Sequence, residues 1–231
     1  MTRGIFVTGT DTGVGKTLCS CALIHALKRH GVAAMPMKPV AAGASMYEGA
    51  LANEDSVALL RAASREMALL PDVTPVLLRE PMAPHIAAAR EARRITLDPV
   101  IAAFGRLASA SDFLVVEGVG GFAVPLGEEL DTVDLARALA LPVVIVVGLR
   151  LGCLNHALLT ARAIEAAGLP FAGWIANAID PDMPVRDENV AALRERLRAP
   201  LLGRLPFAFP PDALSLAARL DVTSLVQPPG G

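Results

Sequence analysis

Residues 9–17 read "GTDTGVGKT", between the apolar run "GIFV" (4–7) and the helix-like stretch "LCSCALIHAL" (18–27). A strand, a glycine-rich turn ending in Gly-Lys-Thr and a helix form the phosphate cradle of nucleotide-binding proteins. Backbone N–H groups and the positive end of the helix dipole face the anion there. Gly13 and Gly15 let the backbone turn inward, with Val14 between them; Lys16 is placed for the β/γ-phosphates and the Thr17 hydroxyl for Mg²⁺. Five residues separate Gly9 from Gly15, one more than in the standard loop. The loop therefore announces a nucleotide without saying whether water, a switch partner or a substrate receives the phosphoryl group.

Outward from the loop, short apolar runs rich in β-branched residues recur at 4–9, 33–40, 112–118, 142–148, 171–179 and 199–206. Stretches of helical length separate them at 16–30, 53–65, 98–110, 131–140, 153–168 and 186–198. Strands apolar on both faces and alternating with helices predict a parallel sheet covered on both sides, an α/β domain. Asp98-Pro99 marks one helix start and Gly168 one helix end. No repeat, low-complexity tract or linker interrupts the pattern, so 1–231 is read as a single domain with a flexible tail at 224–231.

Composition narrows the function classes. The 231 residues are 53% hydrophobic, enough for a sizeable core, and carry 21 basic against 23 acidic side chains for a net charge of −2. There is no basic stripe with interleaved aromatics, which argues against nucleic acid as a partner. The most apolar run, "LALPVVIVVGL" (139–149), holds Pro142 and Gly148 and falls short of the ~20 residues a membrane span needs. Met1–Thr10 runs straight into the loop with no room for a signal peptide. Cys19, Cys21 and Cys153 form neither an even set nor a metal-type spacing with the four histidines. They read as reduced, small core or interface residues of a cytosolic protein.

Ligands of open parallel sheets bind beyond the carboxyl ends of the strands, which selects the polar residues found there. Glu117 ends the apolar run "DFLVV" and can face a metal; a solvated strand-end carboxylate would suit an edge strand better. Asp55 in "NEDSVALL" can serve a metal or cap the helix it starts. Lys38 in "MKPVAAG" can set a second cation opposite Lys16, where two positive charges would stabilise a transferring phosphoryl group; the alternative is a surface lysine. "EGVGG" (117–121) suits close backbone approach to a ligand, or a plain turn.

Taken together, "FVTGTDTGVGKT", "KPVAAG", "VVEGVGG", "VVGLRLGCLNHALLT", "GWIAN" and "PLLGRLPF" resemble the dethiobiotin synthetase family, in order from residue 4 to about 207. The long loop spacing is part of that resemblance. It implies a P-loop NTPase-like fold with a seven-stranded parallel sheet, and a homodimer with the site near the subunit interface. The implied reaction joins CO₂ to 7,8-diaminopelargonic acid and closes a ureido ring, with ATP converted to ADP and phosphate. Carried over position by position, Gly13 to Thr17 hold the phosphates with Thr12 beside the transferring group; Thr17, Asp55 and Glu117 hold Mg²⁺. Lys38 is the catalytic cation, sharing the work with Lys16, and Gly118, Val119 and Gly120 line nucleotide and substrate. The adenine side falls to Asn177, Pro206, Phe207 and Ala208, with Asp212 toward the ribose. Leu151, Gly152, Cys153, Leu154 and Asn155, taken from the neighbouring subunit, hold the substrate's carboxylate, and Cys153 acts through its backbone.

The chain departs from the family pattern at Ala42, where a serine is frequent and the substrate passes, at Gly13, often glutamate, and at Asn189, where a tyrosine is expected. These departures bear on substrate affinity. His85 matches the family and reads as a structural or interface histidine. Two rival classes share the fold. A partition-type nucleotide switch would carry lysine at the position of Asp11, and an amide ligase of cobyrinate type would add a glutamine-hydrolysing domain for which the chain has no segment.

Overall fold

A computed structural model describes residues 3–226. In chain order its elements are β1 (Gly4–Gly9), α1 (Lys16–Arg29), β2 (Ala34–Met37), β3 (Val40–Ala42), β4 (Ala44–Tyr47), β5 (Ala50–Asn53), α2 (Glu54–Ala62), α3 (Leu70–Val73), β6 (Val76–Leu78) and α4 (Pro84–Arg90). There follow α5 (Asp98–Ser109), β7 (Phe113–Glu117), α6 (Thr132–Leu139), β8 (Val143–Leu149), α7 (Cys153–Ala166), β9 (Phe171–Ala178), α8 (Arg186–Arg196), β10 (Leu201–Leu205), α9 (Ala213–Leu216) and α10 (Thr223–Val226). All six apolar runs form strands and all six intervening stretches form helices. Of the expected tail, 224–226 close α10, and 227–231 lie outside the described residues.

The main sheet has six strands in the order β10-β9-β8-β1-β7-β2, every neighbouring pair parallel. One strand fewer than the seven expected enters it, for a local reason. Only Lys38 and Pro39 separate β2 from β3, and the chain there turns to a new partner. The Lys38 N–H donates to the Val73 carbonyl (2.8 Å) and the Val76 N–H to the Pro39 carbonyl (3.1 Å). The further parallel strand, β6, thus pairs with β3 in a two-strand ladder of its own. A second small sheet, the antiparallel hairpin β4–β5, closes through Glu48 and Gly49, both at positive φ (50° and 83°). Its pairing requires that left-handed turn.

Alternation along β1 shows why the central strands read as uninterrupted apolar runs. Phe6 packs with the core on one face of the sheet, Ile5 and Val7 with the core on the other. The chain enters β1 first and adds β2 and β7 on one side, then β8, β9 and β10 on the other. The carboxyl end of β1 is therefore the point from which successive strands diverge, where loops can part to admit a ligand. Among the described residues no helix is long and apolar enough to cross a membrane.

Candidate active site

The phosphate loop occupies that divergence point. Gly15, at φ 82°, caps the start of α1, and a Cβ added to it would meet Asn177 Nδ2 at 2.3 Å. The glycine is required twice over, by the left-handed backbone and by the side chain lying on it. Asn177, 3% exposed on β9, donates Nδ2 to the Val14 carbonyl at 2.9 Å. The residue assigned to the adenine edge thus also clamps the loop, with its Oδ1 and the second Nδ2 hydrogen left for a base. Val14 itself is buried against Gly148 of β8, where any Cβ would lie 2.9 Å or less from the valine side chain.

Lys16 is nearly buried and donates Nζ to the Asp11 carbonyl at 3.2 Å. Burial, and after it the neighbouring Lys38 ammonium, push its pKa below the ordinary lysine value. The two ammonium groups therefore lie near enough for each to feel the other's charge. Thr12 is exposed on the loop, its N–H held by Asp11 Oδ1 at 2.7 Å. A Cβ on Gly120 would lie 3.7 Å from Thr12 Oγ1, so the "EGVGG" loop runs beside Thr12.

Beneath the loop sits a charged cluster that the sequence offered only as separate residues. Lys38, 3% exposed, places Nζ 2.5 Å from Glu117 Oε1, 3.0 Å from Asp55 Oδ2 and 3.1 Å from the Gly118 carbonyl. The surface-lysine alternative falls. Burial disfavours its charge, but Glu117 and Asp55 outweigh burial and hold the ammonium's pKa above the ordinary lysine value. Asp55 is held below the usual carboxylate range: burial opposes this, and Lys38 with the Thr17 hydroxyl prevails. The cap of α2 is Asn53, whose side chain accepts the Asp55 N–H at 3.0 Å. The Asp55 carboxylate is thereby free to turn inward. Glu117 is completely buried at the end of β7, the central neighbour of β1, which removes the solvated reading.

These residues fit a hard divalent cation. Thr17 Oγ1 lies 2.7 Å from Asp55 Oδ1 and 2.9 Å from Glu117 Oε1, yet one hydroxyl proton can serve only one carboxylate at a time. Glu117 Oε2 is buried without a hydrogen-bond partner, a buried acceptor that a cation would satisfy. Two carboxylates and a hydroxyl, with room for water and phosphate oxygens, match what Mg²⁺ accepts. Among the described residues no three His, Cys, Asp or Glu side chains converge as a denser metal set.

The remaining expected residues surround this centre unevenly. Ala42 ends β3 half-buried, and Asn53 Nδ2 pins the Ala42 and Gly43 carbonyls at 3.0 and 3.1 Å. Leu151 is 95% exposed and Gly152, at φ 94°, starts α7. The Cys153 N–H is taken by the Arg150 carbonyl (3.0 Å) and the His156 N–H by Gly152 (3.2 Å). Leu154 and Asn155 precede any intrahelical acceptor and hold the N–H groups open to an anion. The Cys153 side chain is buried, its thiol pKa raised by that burial. Pro206, Phe207 and Ala208 are exposed on the loop after β10. Asp212 spends its carboxylate locally, accepting the Leu214 N–H (3.1 Å) and the Ser215 hydroxyl to cap α9. It nonetheless lines a cavity of about 470 Å³ with Thr17 and Leu18. His85 contacts the Pro125 carbonyl at 3.2 Å on the wall of another cavity, formed by α4 and the loop 126–130, which holds none of the expected site residues. Asn189 bonds back to the Val185 carbonyl on its own helix (2.8 Å).

Two contributions were missed. Asp11 pairs with Arg150 while holding Thr12, so the phosphate loop is tied to the segment that opens α7. A carboxylate inside an anion-binding loop demands a nearby cation, and that was the available signal. Asn53, read only as part of a helix start, fixes both α2 and the turn at Ala42–Gly43.

A family model described as an AAA domain matches residues 3–210. A curated relative, the ATP-dependent dethiobiotin synthetase BioD of Aromatoleum aromaticum, is 54% identical over 218 residues, 94% of this chain and 96% of that protein. Among solved structures, a ParA family ATPase from Chlorobium tepidum superposes with a TM-score of 0.58 at 13% identity, covering 98% of this chain and all of that one. The signal recognition particle receptor FtsY from Elizabethkingia anophelis gives 0.50 at 14% identity over 98% of this chain; the chain spans 64% of that receptor, less than two thirds of its length. At such identities the two structures establish the shared P-loop NTPase-like fold alone.

Proposed function

The chain belongs to the family of ATP-dependent dethiobiotin synthetases, and from that premise we propose how its own residues carry the reaction. It is an ATP-dependent ligase of biotin synthesis that forms dethiobiotin. The observation that carries the residue assignment is the bonded cluster of buried Lys38 and Glu117 with half-buried Asp55 and Thr17 beneath the phosphate loop.

One amine of 7,8-diaminopelargonate takes up CO₂ as a carbamate and releases a proton. A carbamate oxygen attacks the γ-phosphorus, ADP leaves, and the second amine attacks the carbamoyl carbon, expelling phosphate and closing the ring. The backbone of Gly13–Thr17 cradles the phosphates, and Lys16 moves from the Asp11 carbonyl to their oxygens. Thr12 stands beside the transferring group. Lys38 offsets the charge that develops as the phosphoryl group moves. Thr17, Asp55 and Glu117 hold Mg²⁺, which when bound neutralises charge on the nucleotide's phosphates. Gly118, Val119 and Gly120 line the path between nucleotide and substrate, with Ala42 opposite. Asn177 Oδ1 accepts from the adenine edge, and Pro206, Phe207 and Ala208 cover the ring.

The substrate's carboxylate binds at Leu151–Asn155, on the open N–H groups of Leu154 and Asn155. We assign that contact to the neighbouring copy in a homodimer, a reading supported by the solvent-facing Leu151 at the start of α7. The buried free cysteines suit a reducing cytosol. Oxygen labelling tests the route. Because the attacking carbamate oxygen departs with the phosphoryl group, ¹⁸O in bicarbonate must appear as one atom in the released phosphate. Phosphate free of label would mean water attacks instead.

A further inference from the structure

The Lys38 ammonium has three N–H donors and three acceptors around it: Glu117 Oε1, Asp55 Oδ2 and the Gly118 carbonyl, at 2.5, 3.0 and 3.1 Å. Its coordination is complete, and at 3% exposure no donor is left for a substrate. Two of those three acceptors are carboxylates to which the metal has been assigned. A cation taking the Thr17 hydroxyl with the oxygens beside it, Asp55 Oδ1 and Glu117 Oε1, would share Glu117 Oε1 and both carboxylates' charge with Lys38, and Lys38 has no free N–H for a phosphoryl group until it gives up an acceptor.

We propose that Lys38 is the resident counter-ion of the metal site, so that entry of the divalent cation and release of Lys38 toward the reacting phosphoryl group are one exchange; this rests on the assignment of Mg²⁺ to Thr17, Asp55 and Glu117. Charge bookkeeping supports it. Lys16 and Lys38 balance Asp55 and Glu117; a divalent cation added to an unmoved cluster would bring it to +2, and withdrawal of the Lys38 ammonium from the carboxylates removes one of those charges. Without any cation, the buried Glu117 carboxylate and the partly exposed Asp55 carboxylate would repel each other across Thr17. The lysine keeps the site formed until metal and nucleotide arrive, and its delivery is timed by their arrival.

The chain contains only three lysines, Lys16, Lys28 and Lys38, and Lys28 is exposed, which makes amine chemistry a clean probe. In nucleotide-free protein, acetic anhydride should label Lys28 and spare Lys38. At saturating Mg²⁺, labelling of Lys38 relative to Lys28 should rise severalfold, read by peptide mass spectrometry. Lys38 that stays protected while calorimetry shows Mg²⁺ bound overturns the exchange. In parallel, Lys38→Met should bind Mg²⁺ without nucleotide about tenfold or more tightly than the unmodified protein, since a unit charge ~3 Å from the ligands is gone. Equal or weaker binding, or none in either protein, also overturns it. Adding Glu117→Gln to Lys38→Met separates the two claims. Loss of Mg²⁺ binding keeps the metal at these carboxylates, whereas undiminished binding places it elsewhere and removes the metal assignment itself.

Discussion

Asn177→Ala distinguishes a residue that only reads a base from one that also shapes the phosphate loop. The side chain is 3% exposed and its Nδ2 donates to the Val14 carbonyl at 2.9 Å, lying over Gly15. Alanine removes the donor and leaves a buried carbonyl without its partner, which costs about 1–3 kcal/mol. If the loop must recover its native shape to hold phosphates, that energy reappears as about 5- to 150-fold weaker phosphate binding. Inorganic tripolyphosphate carries the phosphates without the base, so titration calorimetry with tripolyphosphate and with ATP separates the two roles. Both ligands should weaken, ATP further because it also loses the Oδ1 contact. Unchanged tripolyphosphate affinity alongside weakened ATP would refute the clamp and reduce Asn177 to a base reader.

Burial pushes the Cys21 thiol up to about 12, and Cys19 is raised further for the same reason. The fold therefore keeps protons that an unfolded chain gives up near 9.0, so stability falls as pH rises above that value, by up to ~1.4 kcal/mol per pH unit for each thiol. Urea midpoints at pH 8 and 10 should show this slope, reduced in a Cys19→Ala/Cys21→Ala variant; rapid alkylation of either native thiol at pH 8 would contradict it. The shared-site reading predicts complementation. Lys38→Ala and an Asn155→Pro variant, each inactive alone, should regain part of the activity when refolded together, since a mixed dimer holds one intact site. No recovery in a demonstrated mixed dimer would mean each chain completes its own site.

Much of the fold was legible because the inner strands of the main sheet are apolar on both faces; the edge strand β10, with exposed Arg204, is patterned more weakly. What escaped is short or weakly patterned. β3 and β6 have three residues each, too few for any period. The hairpin Ala44–Asn53 leaves Met46 and Leu51 in solvent, so it lacks the buried-strand signature, and Glu48-Gly49 is a quiet turn signal. α4, "PHIAAAR", has three alanines in seven residues and is too short to show an apolar stripe. At the site, strand ends pointed to Lys38 and Glu117 one at a time. That they bond to each other depends on β2 and β7 being neighbours, a long-range pairing that no local window contains. Asp55 is the sharper case. In "NEDS" either Asn53 or Asp55 can cap a helix, and the choice of Asn53 releases the aspartate for the cluster.

The central claim is that this site makes a bond to a bound diamine and does not merely hydrolyse ATP. Mass spectrometry of a reaction holding ATP, Mg²⁺, bicarbonate and 7,8-diaminopelargonate, with ADP release followed in the same vessel, tests it directly. Dethiobiotin should form in step with ADP, and both should vanish when the diamine is left out. ADP release at an undiminished rate without the diamine, and no dethiobiotin with it, would contradict the account.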